Sequence, residues 1–171
     1  MNAIMIQNLK KNYGSFEVSL PRLDLRQGYV TGLVGKNGSG KTTLFRSVLG
    51  VIPKTAGTVQ VLGGDITADP AIREQVGFVS ETPHYIRTLT TEKVHEMVRP
   101  FYPRRDEELY QKMRAEFELP DRQIQELSKG QQKILPFLMA FCRRPRLLTL
   151  DEPTANPDPP LRHRLLGQRP R

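Results

Sequence analysis

The chain has 171 residues, a net charge of +8, 37% hydrophobic and 26% charged side chains. These values sit near globular averages and suit one domain, with or without a small insert, so they exclude wholesale disorder. At this length folding buries roughly 70% of the unfolded surface, so a core forms without disulfides or metals. The single cysteine, Cys142, cannot form an internal disulfide, and no Cys/His cluster has metal-ligand spacing, which points to a reducing cytosol. The longest apolar run, Ile134 to Cys142, is nine residues with Pro136 inside it. A bilayer span needs ~20 residues. Met1 to Met5 is followed at once by Gln7, Asn8, Lys10 and Lys11, which is not a secretory signal.

The positive charge is unevenly spread. Residues 1–80 carry 9 basic and 5 acidic side chains, residues 81–142 carry 10 of each, and residues 143–171 carry 7 and 3. A short tail with Arg162, Arg164, Arg169 and Arg171 supplies half of the excess. There is no long basic helix and no run of aromatics interleaved with Lys/Arg, so the composition argues against a dedicated nucleic-acid face.

In chain order, Ile4 to Lys10 reads as a strand and Val18 to Leu25 as an edge strand, because Pro21 cannot donate to a second neighbour. Tyr29 to Val34 reads as a short strand ending at Gly35, followed by a glycine-rich loop and a helix from Thr42 to Leu49 closed by Gly50. Thr58 to Leu62 and Val76 to Val79 are further short strands. From Thr90 to Cys142 the period is helical, with Val94, Met97 and Phe101 on one face and Leu109, Met113 and Phe117 on another. Strand character returns at Leu147 to Leu150. The pattern predicts an α/β core with a mainly helical insert over about 84–130.

The strongest chemical signal is Gly35-Lys36-Asn37-Gly38-Ser39-Gly40-Lys41-Thr42, a complete G-x-x-x-x-G-K-[ST] loop between a predicted strand and a predicted helix. Chance gives this pattern in roughly one chain of this length in a hundred. The glycines let successive backbone N–H groups turn toward a β-phosphate, and the following helix adds its positive end. Lys41 is placed to neutralise β- and γ-phosphate oxygens and Thr42 to ligate Mg²⁺. Further on, Leu147 to Leu150 delivers Asp151 and Glu152 at a strand's C-terminal end, 110 residues past Lys41, where ligand crevices of parallel sheets lie. Asp151 suits Mg²⁺, and Glu152 suits polarisation of an attacking water.

These motifs, in this order, resemble the nucleotide-binding domain of the ATP-binding cassette (ABC) family over about residues 1–158. Between loop and acids, Leu127-Ser128-Lys129-Gly130-Gln131-Gln132 is similar to that family's LSGGQ signature, with Lys129 in place of the first glycine, a variant seen in exporter subfamilies. Ser128-x-x-Gln131 also reads as a capping box opening a helix. The resemblance implies a P-loop NTPase core of ABC ATPase type with the helical insert, incomplete at its C-terminus. It implies binding of ATP and Mg²⁺ by Gly35, Asn37, Gly38, Ser39, Gly40, Lys41, Thr42 and Thr43, with Tyr13 stacking on adenine. Ser128, Gly130 and Gln131 then face the γ-phosphate held by a partner cassette. Glu152 and Glu81 are the implied catalytic carboxylates, and Thr42, Asp151 and Glu81 the implied metal ligands. Glu81 stands where the family usually has a glutamine.

Three departures stand out. Pro157 replaces the D-loop leucine before Asp158, and Pro136 sits inside the signature helix. The sequence ends 20 residues after Asp151 in a Pro/Arg-rich tail, residues 159–171, before the family's switch histidine; His163, on the expected helix, reads as a surface residue, and His84 and His95 fall in the insert. The expectation is a truncated or frameshifted product that binds ATP and turns it over slowly. The resemblance implies the ATPase subunit of an exporter, on the inner face of the cell membrane, forming a homodimer or heterodimer under a separate permease. The permease contact is expected through Glu81 to Pro103, with Val94, Met97, Val98 and Phe101 as apolar surface. The rival readings are a soluble ABC-type ATPase acting on ribosome or DNA, and a non-catalytic nucleotide-binding module.

Overall fold

A computed structural model of the chain describes residues 1–80, 84–102 and 105–151. The chain forms two compact units, Met1–Glu74 and Gln75–Arg171.

The first unit is built on a three-stranded antiparallel sheet. Strand β1 (Asn2–Asn12) lies between β2 (Glu17–Arg26) and β3 (Ala56–Val61), in the order β2-β1-β3. The central strand buries Ala3, Ile4, Ile6 and Leu9, and β3 adds Val59 and Val61. Pro21 is tolerated because, among the described residues, β2 pairs on one side only, as its sequence predicts. The β1–β3 register slips between Gln7 and Lys10, around Asn8, whose φ is +52°. Helix α1 (Lys41–Val48) buries Ser47 and Val48, and Leu49 and Gly50 end it, in agreement with the predicted stop. A short helix, α2 (Pro70–Glu74), closes the unit.

One predicted element does not form. Tyr29 to Val34 is not a strand: the segment is irregular, and Val30 and Val34 are 82% and 94% exposed. An apolar β-branched run becomes a strand only where a neighbour takes up its N–H and C=O groups. Among the described residues no strand pairs with it.

The second unit holds a parallel pair, β4 (Val76–Val79) and β5 (Leu147–Leu150), in register Val76↔Leu147 through Val79↔Leu150. Both strands lie where the sequence predicts them. The helices are α3 (Thr91–Val98), α4 (Glu107–Glu116) and α5 (Lys129–Phe141). Each opens on a side-chain cap: Thr90 accepts from Lys93 N–H, Asp106 from Leu109 N–H, and Ser128 from Gln131 N–H. The core joins Val94, Tyr110, Met113, Phe117 and the buried face of α5 from Ile134 to Phe141. Pro136 is buried within α5, and it removes the donor that would meet the carbonyl four residues back. Cys142 is fully buried, with its Sγ 3.9 Å from Met113 Sδ, and burial pushes its thiol up to about 12.

The apolar residues expected as a surface on α3 divide in two. Val94 is 1% exposed and Val98 packs against the same core. Those two are i, i+4 neighbours on the inward stripe. Met97 and Phe101 face outward, 55% and 73% exposed.

A polar knot lies among these helices. His95, on α3, is buried, and its Nε2 stands 3.1 Å from a Glu107 carboxylate oxygen. The Arg105 guanidinium contacts both His95 Nε2 and Glu107.

Candidate functional site

The glycine loop and the residues around it lie within the first unit. The turn between β1 and β2 is closed by two local bonds: Gly14 N–H donates to Asn12 Oδ1 (2.6 Å), and Tyr13 N–H donates to the Phe16 carbonyl (2.9 Å). Tyr13 is half exposed at the tip, and the Lys11 ammonium lies 5.1 Å from its ring centroid. The cation lies over one face of the ring.

The same hairpin reaches the phosphate loop. Gly40 is the N-cap of α1, with φ +92°, and a Cβ there would stand 2.5 Å from Val18 Cγ2 and 3.3 Å from Phe16 Cζ. Only glycine meets both demands, the left-handed backbone and the closeness of two side chains. A Cβ on Gly35 would meet Ser39 Oγ at 2.8 Å, a hydroxyl that can turn aside, so the inner turn of the loop is close there but less crowded than at Gly40. Lys41 Nζ folds back over the loop and donates to the Gly35 and Lys36 carbonyls at 2.9 and 3.1 Å. Helix α1 has no acidic residue in its first turn and no side-chain cap at Gly40, so its positive end is left to an incoming anion.

The second unit carries the other expected groups. The Asp151 N–H donates to the Val79 carbonyl at 2.9 Å, extending the β4–β5 ladder by one step, and its carboxylate is buried. Ser128 and Gln131 form the expected capping box: Ser128 Oγ accepts from Gln131 N–H at 3.2 Å, and Gln131 Oε1 accepts from Ser128 N–H at 3.1 Å. Lys129 and Gly130 form the first turn of α5. Glu81, Glu152, Pro157, Asp158, His163 and the tail lie outside the described residues.

The first unit thus brings together the hairpin of Tyr13 and the loop from Gly35 to Thr42. Asp151, Ser128, Gly130 and Gln131 belong to the second unit. Sequence reasoning missed Phe16, Val18 and Lys11. The only signal for them was their place beside the Tyr13-Gly14 turn, and nothing in spacing alone says that this turn folds onto Gly40.

The loop chemistry of the first unit fits a polyphosphate: glycines where the backbone turns tightly, the Lys41 ammonium and the Thr42 hydroxyl, a hard oxygen donor of the kind Mg²⁺ takes. In the second unit, by itself, the buried Asp151 carboxylate is a donor of the same kind.

A glycine loop that opens a helix, with a lysine folded back across it, defines a P-loop type of nucleotide-binding protein. The family model described as ABC transporter matches residues 19–155, and the chain belongs to that family. It is 32% identical over 179 residues to the Nod factor export ATP-binding protein I of Sinorhizobium fredii, covering 94% of this chain and 49% of that protein. It is 35% identical over 176 residues to the sulfate/thiosulfate import ATP-binding protein CysA of Ralstonia nicotianae, covering 95% and 47%. The chain therefore spans about half the length of these relatives. Among solved structures, an ATP-binding subunit of an ABC transporter superposes with a TM-score of 0.79 at 26% identity, covering 96% of this chain and 72% of that one. The α/β P-loop class expected from sequence is the class observed.

Proposed function

We propose that this chain is the ATP-binding and ATP-hydrolysing part of an ABC transporter, of exporter type, driving a separate membrane permease. The observation that carries the reading is the loop itself: Gly40 packed too tightly for a side chain, Gly35 close against Ser39, Lys41 folded across the loop, and α1 presenting its amino end there. On this reading Lys36 to Thr43 hold the phosphates, with Lys41 exchanging its two carbonyl partners for β- and γ-oxygens. Tyr13 stacks on adenine, a contact worth ~1–3 kcal/mol. Thr42 and Asp151 hold Mg²⁺, whose role when bound is to neutralise phosphate charge. Glu152 is the general base, and Glu81 is a second carboxylate for metal or water.

Two cassettes, identical or not, sandwich two nucleotides, with Ser128, Gly130 and Gln131 of each facing the other's γ-phosphate. The export relative and the Lys129 variant of the signature favour export; the import relative keeps the opposite direction in view as the alternative. On this reading the cassette docks from the inner face of the membrane onto a permease that is another polypeptide. Among the described residues no helix is long and apolar enough to cross a membrane.

The test is Mg-ATP binding by calorimetry together with phosphate release. Lys41→Ala is expected to abolish measurable binding, and Glu152→Gln to keep binding while stopping release. Unchanged affinity in Lys41→Ala would overturn the phosphate-loop assignment; release surviving in Glu152→Gln would overturn the assignment of the base.

A further inference from the structure

Phe16 is a phenylalanine left 40% exposed next to a phosphate loop, and the core of the first unit does not use it. Its ring edge faces Gly40: Cζ and Cε1 would stand 3.3 and 3.7 Å from a Cβ placed there. Its backbone carbonyl accepts from Tyr13 N–H at 2.9 Å, so the two aromatics open and close one turn. The path from the Tyr13 platform to the residue just before Lys41 therefore runs through one hydrogen bond and one ring contact. Val18 completes the contact, with Cγ2 at 2.5 Å from the same point.

We propose that Phe16 is a positioning residue of the nucleotide site, a spacer that fixes the Tyr13 platform at the distance from the phosphate loop that a purine nucleoside triphosphate spans. The inference rests on the stacking role given to Tyr13 above and goes beyond it. A base stacked on Tyr13 and phosphates held by the loop are two contacts on one ligand, and they reinforce each other only if their separation is set in advance. The ring is rigid, with two side-chain torsions, and its edge bears on backbone that has no side chain to yield. Without this spacer the hairpin still closes, through the bonds at Asn12 and Tyr13, but it bears on Gly40 through Val18 alone, and the Tyr13 end of the turn loses its own stop.

The role separates from general support of the loop by ligand chemistry. Binding of Mg-ATP and of magnesium inorganic triphosphate, which has no nucleoside, is measured by calorimetry for the whole chain. Phe16→Ala is expected to weaken ATP by about tenfold, with triphosphate affinity unchanged. Phe16→Met, long enough to reach Gly40, is expected to recover most of the loss. Equal weakening of both ligands in Phe16→Ala would make Phe16 a mere prop of the loop and overturn the proposal, as would no weakening of either. Tyr13→Ala keeps the two layers of the argument apart. If it loses ATP affinity while Phe16→Ala does not, stacking stands and the spacer falls. If Tyr13→Ala binds ATP unchanged, the stacking role falls and the spacer with it.

Discussion

His95 lies flat on Tyr110, with ring centroids 3.7 Å apart and 20° between their planes. Burial and the neighbouring Arg105 guanidinium hold the imidazole below its ordinary pKa, against the opposite pull of Glu107 and Glu92. The folded unit therefore refuses a proton that the unfolded chain accepts below pH about 6.5. Stability contributed by neutral His95 is complete above that value and falls as pH drops toward the folded-state pKa. Urea midpoints measured between about pH 7 and pH 5 should fall, and His95→Gln should flatten the slope in that window. An unchanged slope in the variant would refute the assignment. Asp106 and Asp121 are also held below their ordinary values, chiefly by backbone N–H groups of Leu109 and Glu92. Their contribution is lost at lower pH, on approach to about 4, so the two windows separate.

Gly40 and Gly38 both have positive φ, +92° and +78°, but only Gly40 is crowded. Gly38→Ala meets nothing within 4 Å and should cost only the backbone strain of about 1–2 kcal/mol. Gly40→Ala must also push back Val18 and Phe16, so it should lower the melting temperature further and weaken ATP binding more. Equal effects from the two variants, read by thermal denaturation and calorimetry, would show that the hairpin does not bear on the loop.

Ser128 is an N-cap on structural grounds and a γ-phosphate ligand on the proposed reading. Ser128→Ala should cost roughly 1 kcal/mol through loss of the cap. Ser128→Asp should keep the helix, because aspartate caps equally well, while setting a carboxylate against the partner's nucleotide. Light scattering of the Glu152→Gln background with ATP should then show a dimer that Ser128→Asp abolishes. A dimer that persists would remove the signature from the interface.

The outward side chains of α3 and the turn after it give the permease proposal a sharper test than its inward ones. Met97→Asp or Phe101→Asp should break copurification with the permease and leave the melting temperature within about 1–2 °C, since exposed substitutions change stability little. Val98→Asp, which places a charge against the core, should instead destabilise the unit. Copurification surviving in both exposed variants would move the contact elsewhere.

How far the sequence could be read varied with the range of the forces involved. β4, β5, α1 with its stop at Gly50, and the capping box at Ser128 are local patterns, and each lies where composition and spacing predict it. Tyr29 to Val34 has equal strand propensity, yet a strand is a pairing and not a property of one segment. His95 was legible as a histidine on a helix, but its burial against Tyr110 and Arg105 needs the fold. The contact of Phe16 with Gly40 joins residues 24 positions apart across a loop, and no periodicity encodes it.

The burial of Cys142 makes the chain's one thiol a clock. Thiolate is the reactive form, and a group raised to about 12 and enclosed beside Met113 offers almost none of it at neutral pH. Modification by an aromatic disulfide reagent can then proceed only through opening of the helical core. Its rate counts openings of that core, so added nucleotide will slow it only if binding in the loop also stabilises the second unit. A cysteine placed on the surface elsewhere can be labelled cleanly against this silent background.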